Sequence, residues 1–522
     1  MKKLVLRLWL LASFSYFVLM GKIDNPFPKS TTIDGLLMQT ITSSKVHGPP
    51  LNVIIFYPDD WRHDDLGDTN AILKTPFFSR LAKEGIRFTY NAVTTSICWI
   101  SRATLFSGQW VSGHASTYLS RPVFASDPTK WTKTWPYLLQ KSGYWVGHVG
   151  KWQYHDTNGY KNHIFNFSSF FEGYMWQQSH DGVQTHIADR AGSEAIRFLR
   201  ERPRNRPFAL TIAFYPPKGN MDTSNCPKTF SRLYENISIP EPYDRNMAYQ
   251  HLPPFLQNNK TEARQRYLYR FEEHGNFQSC MRAQYCSISH IDSVCEKVSG
   301  EVKKQGVYND TLIIVTADNG EFHAWHALAD KWYPYQESIR VPLIIKDPRM
   351  PIKKRGTLDD SFTLNVDLAK TILGAAGLDG PREMKGRDIG DLYLEWPKSR
   401  GPWRSEYYYE FPDINAKIPS SIALVKRKWK FVKWPKHDHE QLFDLEEDPF
   451  EFQNLVGNTS YSKVKEVMRS RLTGLRHDIF SPMVPGTWCD PLWPRGENLE
   501  NKPECSPEMS HLCCNTSNQH SS

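Results

Sequence analysis

Two pairs of hard oxygen donors, Asp59–Asp60 and Asp318–Asn319, each close a short apolar run, and a cysteine far from its fellows, Cys98, lies between them in the chain. Carboxylates with one amide among them suit Ca2+ or Mg2+ rather than zinc or copper, and the amide leans toward Ca2+. Taken singly, each pair reads as a strand-ending turn. Two pairs on converging strands read better as one cation site. Cys98 opens the run Cys98-Trp99-Ile100-Ser101-Arg102, where a helix signal begins just after the cysteine. A helix N-terminus favours negative charge, and Arg102, one turn on, adds a cation whose donor fork suits an oxyanion. That setting would suit a thiolate nucleophile, but spacing by itself does not separate this from other roles.

The elements that must position these residues follow from the apolar pattern. Runs rich in β-branched residues at 52–57, 144–149, 208–214 and 311–316 end at Asp59, Lys151, Lys218 and Asp318. Their length and continuous apolarity predict buried parallel strands. Between them, Thr75, Pro76 and Gly85, and then Thr134, Pro136 and Gly143, mark helix starts and stops. Alternating strands and helices predict an α/β fold, a large doubly wound mixed sheet flanked by helices, with ligands beyond the carboxyl ends of the strands. After about residue 380 the pattern changes: alternating segments at 421–426 and 428–434 and a turn at 444–449 predict a smaller antiparallel-sheet subdomain. Helical spacing follows at 464–472. The expected organisation is a leader over 1–21, a catalytic domain over 50–380, a C-terminal subdomain over 381–480 and a Cys-rich tail over 481–522.

With 522 residues, 40% hydrophobic and 13% aromatic, the chain buries a large core and is no disordered or fibrous protein. Lys2 and Lys3 before an apolar stretch from Leu8 to Met20 read as a secretory leader, too short for a comfortable membrane span. Six acceptor sequons, at Asn166, Asn236, Asn259, Asn309, Asn458 and Asn515, agree with a secretory route ending outside the cell or in lysosomes. The formal charge is +8, or +5 once Lys2, Lys3 and Arg7 leave with the leader. That surplus suits an anionic substrate and lacks the clustered basic face of a nucleic-acid binder. Nine cysteines allow four disulfides and leave one over, for which isolated Cys98 is the candidate.

The segment from Cys98 to Gly108 resembles the sulfatase signature, in which CxPSR or CxASR precedes an apolar run and a TG or SG. The resemblance continues in order. Val53 to Asp60 is similar to that family's first strand and metal aspartates, Gly150-Lys151-Trp152 to its GKW motif, and Thr316-Ala317-Asp318-Asn319-Gly320 to its second metal motif. His326, Lys331 and the run from Tyr335 to Pro342 resemble its HGxxxK and YEESxRVP pattern. Leu442-Phe443-Asp444-Leu445, with Asp448-Pro449 and Asn454-Leu455, resembles its carboxyl-terminal LYDLxxDPxExxNL segment.

This resemblance implies a sulfate-ester hydrolase acting on a sulfated small molecule or glycan. It implies that Cys98 is oxidised to formylglycine by a formylglycine-generating enzyme during synthesis. The metal ligands would be Asp59, Asp60, Asp318, Asn319 and the group at position 98, holding one divalent cation, with Ca2+ the expected ion. Arg102, Lys151 and Lys331 would neutralise charge on the sulfate and the nucleophile, and His326 would touch the substrate or donate a proton. Three positions depart from the pattern: Ile100 stands where Pro or Ala is usual, Gln153 where GKWH has histidine, and Lys218 near the family's PPH histidine. Lys218 is expected to contact sulfate. Two other readings compete, a phosphodiesterase or phosphonate hydrolase of the alkaline-phosphatase superfamily and a non-catalytic binder of sulfated glycans.

Overall fold

The computed structural model describes residues 49–115, 128–154, 161–178, 182–242, 245–395 and 401–480. The expected leader, the Cys-rich tail and Asn515 lie outside these residues. Among the described residues, no helix is long and apolar enough to cross a membrane.

The four expected strands form within about a residue of their predicted ends: β1 (Asn52–Phe56), β3 (Trp145–Gly150), β5 (Phe208–Ala213) and β6 (Thr311–Thr316). They are joined by β2 (Ile86–Phe88), β4 (Phe167–Phe170), β7 (Leu343–Lys346) and β8 (Thr357–Asp359) in one sheet ordered β8-β2-β7-β6-β1-β5-β3-β4. β6, β1, β5, β3 and β4 run parallel, while β7 runs antiparallel to both its neighbours. β1, β5 and β6 are buried at every residue, as strands covered on both faces must be. On one face, Ile54, Phe56, Leu210, Ile212 and Val315 pack with α1 (Pro76–Glu84), α4 (Ile187–Glu201) and the long α5 (Phe277–Lys304). Near the other face lie α2 (Cys98–Ser107), α3 (Trp135–Lys141) and α6 (Leu368–Ala375), which pack on one another. The mixed, doubly wound architecture is thus as expected.

A separate four-stranded antiparallel sheet follows, β9 (Glu406–Phe411), β10 (Ser421–Lys426), β11 (Trp429–Trp434) and β12 (His439–Asp444), in sequential order. Helix α7 (Ser462–Phe480) packs against it. The sheet shares its core with Ile97, Ile100, Phe322, Leu328, Tyr333 and Tyr335, residues that flank Cys98 and Lys331. Ile100 is wholly buried in this cluster, so the larger side chain fills core volume there.

Four of the nine cysteines, those of the tail, lie outside the described residues, which place the other five. Cys226 and Cys286 are bonded, whereas Cys280 and Cys295 are, like Cys98, free and buried. Cys280 and Cys295 both sit on α5, fifteen residues apart, a rise of about 22 Å that no disulfide can bridge.

Candidate active site

β1 ends at Phe56 and the chain turns outward through Asp59 and Asp60, while β6, its parallel neighbour, ends at Thr316 and turns through Asp318 and Asn319. Parallel pairing therefore delivers both pairs to one edge. Asp60 adopts a left-handed backbone, φ 61°, which non-glycine residues take only where the surroundings impose it. Its amide donates to Asp318 Oδ1 at 3.1 Å, and Asn319 Nδ2 donates to Asp60 Oδ1 at 2.7 Å. Gly320 lets the chain pass beneath Glu337, whose carbonyl oxygen would lie 2.0 Å from any Cβ added there.

Cys98 is the first residue of α2, with extended Ile97 before it. The approach to it is held by the small sheet. Glu410 N donates to Thr94 O at 3.0 Å, Thr95 Oγ1 donates to Glu410 O at 2.8 Å, and the Ser96 and Tyr409 hydroxyls are 2.7 Å apart. The Cys98 thiol donates to Asp59 Oδ1 at 3.2 Å, and two ammonium groups, those of Lys218 and Lys331, each lie 3.1 Å from its sulfur.

Each lysine is brought by its own loop. Gly150, at φ +92°, carries no Cβ to strike Ala213 O, so Lys151 can donate its amide there at 2.8 Å and turn its ammonium onto Asp59. Lys218 follows β5, its amide donating to Asp59 O at 3.2 Å, and its ammonium lies 3.7 Å and 3.8 Å from Asp59 Oδ2 and Asp60 Oδ2. Lys331 ends a loop closed by Phe322 N on Asp330 O at 2.8 Å, and its ammonium meets Asp60. Arg102 reaches back from α2 to Asp318 Oδ2 with Nε at 3.0 Å and Nη2 at 2.7 Å, while Tyr57 lies under its guanidinium at 5.0 Å.

The electrostatics follow from that crowding. Burial would raise the Asp59 carboxyl, but Lys151, Lys218, Lys331 and Arg102 together hold it well below the usual carboxylate range. Asp318, raised by burial and by Asp59 and only partly relieved by Arg102, is pushed up to about 6. Burial and Asp59 push the Cys98 thiol up against the opposing pull of the lysines. Desolvation and the adjacent carboxylate therefore work against a thiolate at the unmodified Cys98, while Lys151, Lys218 and Lys331 favour one.

Asp59, Asp60, Cys98, Asp318, Asn319, Arg102, Lys151, Lys218 and Lys331 thus meet at one place. The contacts of His326 are with other residues. It is buried with its Nε2 3.6 Å from Glu337 Oε2 and its ring stacked on Tyr335 and edge-on to Phe452. Sequence reasoning missed a buried network beside Lys331, in which Arg270 pairs with both Glu321 and Asp330. Glu321 and Asp330 adjoin recognisable motifs, but Arg270 comes from a segment with no signal of its own.

The oxygen set fits a hard divalent cation. Asp60 Oδ2 and Asn319 Oδ1 are buried and have no hydrogen-bond partner, and one donor atom each from Asp59, Asp60 and Cys98 lies within 4.8 Å of the others. Buried acceptors left unmet in this way are costly unless an ion or water meets them.

Residues 51–378 match the Sulfatase family, which is most of the chain. The chain belongs to the sulfatase family. Sulfatases are sulfuric ester hydrolases of the alkaline-phosphatase superfamily. Residues 321–478 of this sulfatase match the C-terminal region of N-sulphoglucosamine sulphohydrolase, a span that begins at the Lys331 loop and takes in the small sheet. A relative from Bacteroides thetaiotaomicron, an N-acetylglucosamine-6-O-sulfatase, is 23% identical, covering 80% of this chain and 85% of its own. A protein solved in complex with its substrate D-glucosamine-2-N,6-O-disulfate superposes with a TM-score of 0.69 at 21% identity, covering 84% of this chain and 99% of that one. The phosphonate monoester hydrolase of Agrobacterium radiobacter superposes at 0.68 and 20% identity, covering 86% and 100%. At these identities the superpositions establish the shared fold.

Proposed function

We propose that the chain hydrolyses a sulfate ester carried by a carbohydrate, with Cys98 converted to formylglycine as the nucleophilic residue. The observation that carries this is the position of Cys98 Sγ, 3.1 Å from two ammonium groups and 3.2 Å from Asp59. An anion in attack range of position 98 would meet positive charge from both lysines, while burial and Asp59 push the thiol itself away from the thiolate form. The hydrated aldehyde supplies two hydroxyls on one carbon, one to attack sulfur and one whose loss of a proton expels sulfate afterwards. Asp59, Asp60, Asp318 and Asn319, with an oxygen at position 98, would hold a divalent cation, Ca2+ by donor type, which polarises sulfate oxygens and lowers the hydroxyl pKa.

The protein's own groups divide the remaining work. Lys218 and Lys331 neutralise charge on the transferring sulfuryl group. Lys151 orients Asp59, and Arg102 orients Asp318 from below. His326, 3.6 Å from Glu337, packs beside the Lys331 loop. The five described sequons, Asn166, Asn236, Asn259, Asn309 and Asn458, are all exposed, in keeping with glycosylation on a secretory route to the cell exterior or lysosome.

Mass spectrometry of the peptide containing Cys98, with parallel assays on an aryl sulfate and a phosphate diester, tests the proposal. An aldehyde at position 98 and preference for the sulfate are expected. The neighbouring phosphonate hydrolase fold favours one second reading, and faster turnover of the diester would establish it. A thiol with no turnover of either ester would leave a binder of sulfated glycans.

A further inference from the structure

A second basic recess lies along the same sheet edge, a cavity of about 290 Å3 lined among others by His63, Asp64, Arg87, Thr89 and Arg340. Its charge is unbalanced. Arg62 grips Asp64 with a fork, Nε and Nη2 at 2.5 Å and 2.6 Å from the two carboxylate oxygens. Glu337 lies 3.6 Å from His326 and, with Asp64, still acts on Arg340, without bonding it. Arg340 then has the Thr89 carbonyl and the face of Tyr90 as neighbours, and its Nε, like that of Arg87, is buried without a hydrogen-bond partner. A guanidinium is strongly solvated in water, and leaving its donors unmet is expensive unless an acceptor arrives. The field is felt nearby: burial, then Arg340, holds the His63 imidazole down to about 3.

Distance ties the recess to the site. His63 is three residues beyond Asp60, at most about 10 Å of chain. Arg87 sits on β2, level with Ile344 of β7 and Val315 of β6, about two strand spacings of 4.8 Å from Val315 and three residues short of Asp318 along the strand direction. One small glycan could span both.

We infer that this recess is a second anion subsite, in which Arg87 and Arg340 bind a further sulfate or carboxylate of a polyanionic glycan whose scissile sulfate lies at Cys98. The inference rests on the sulfate-ester reading above and adds the substrate class, glycans with two or more acidic groups. Planar guanidinium forks match such groups in two-pronged fashion.

The test compares Arg87→Gln with the wild-type holoenzyme on 4-nitrophenyl sulfate and on a disulfated disaccharide. The variant should raise KM for the disaccharide about tenfold, the effect of losing one charge-assisted contact, with kcat little changed. The ratio of kcat/KM between the two substrates should fall by the same factor, and the salt dependence of the disaccharide KM should flatten. Arg87→Lys should recover part of the loss. An unchanged ratio with both esters still hydrolysed overturns the subsite and leaves the sulfate-ester reading standing. If wild type hydrolyses neither ester, that reading fails and takes the subsite with it. If inorganic phosphate raises the Tm of wild type but not of Arg87→Gln while the ratio is unchanged, the recess takes a free anion and the glycan assignment is overturned.

Discussion

Replacing Arg102 by Met isolates the cation that holds Asp318. Both side chains are almost wholly buried, at 1% and 0% exposure, and two guanidinium N–H groups converge on one carboxylate oxygen. Removing one partner of such a pair costs about 3–5 kcal/mol, because the other is left charged and desolvated. Asp318 has an escape that limits this loss. Its carboxyl already stands at about 6 with Arg102 beside it, and losing that cation moves it higher still. A carboxyl raised in the folded state binds a proton the unfolded chain does not, so its penalty is complete above the folded pKa and is relieved as pH falls below it. Arg102→Met should therefore lose about 3 kcal/mol at pH 8 and distinctly less near pH 5.5. Urea unfolding in EDTA at the two pH values measures this, and Arg102→Met/Asp318→Asn should restore much of the loss at pH 8. A deficit below about 1 kcal/mol at pH 8, or one equal at both pH values, would refute the claim that this pair is an uncompensated buried charge in waiting.

Chelation should abolish sulfatase activity and Ca2+ should restore it. In thermal unfolding, Ca2+ at a hundred times its Kd should stabilise wild type by about 2.7 kcal/mol, with Asp60→Asn losing that gain. His148, buried among Phe106, Trp152, Phe165 and Phe170, is held down to about 3 by burial. Its stabilising share is intact above the unfolded value of 6.5 and is lost as pH falls toward 3, about 1.4 kcal/mol per pH unit. His148→Gln should accordingly flatten the pH dependence of urea unfolding between 6.5 and 5 by about 2 kcal/mol. Gly320→Ala would set a methyl 2.0 Å from Glu337 O; circular dichroism melts should show a loss of about 3 kcal/mol or failure to fold, and an unchanged Tm would disprove that close approach.

Much of this architecture is written locally. β1, β3, β5 and β6 carry their own signal because they are buried almost throughout, so apolar residues dominate them and the charged residue that follows marks the edge where chemistry can occur. The parallel order places those endings together, which is why Asp59, Lys151, Lys218 and Asp318 were all predictable. Helix α5 was not, although Asn276 and Ser279 form a capping box at its start. That box has Ser in place of the usual Glu or Gln, and the interior mixes buried Ser289, His290 and Asp292 with apolar residues, which blurs the period. The course of the loop from His323 to Asp330 was likewise illegible. It depends on left-handed backbone at His323, Ala324, His326, Ala327 and Asp330, conformations that no local residue preference announces.

The small sheet then acquires a role that its distance along the chain conceals. Cys98 is fixed less by its own helix, whose Ile97 cap offers no side-chain bond, than by β9, which holds residues 94–96 through Tyr409 and Glu410 more than 300 positions away. The same sheet packs beneath Tyr333 and Tyr335, on either side of which sit Lys331 and Glu337. Cys98 and Lys331 approach one another because both segments rest on one surface. Ile100 belongs to that surface, so the residue that departs from the family signature is the one that tightens it. Any change that loosens β9 should move Cys98 and Lys331 together, and activity would then be lost before the main sheet unfolds.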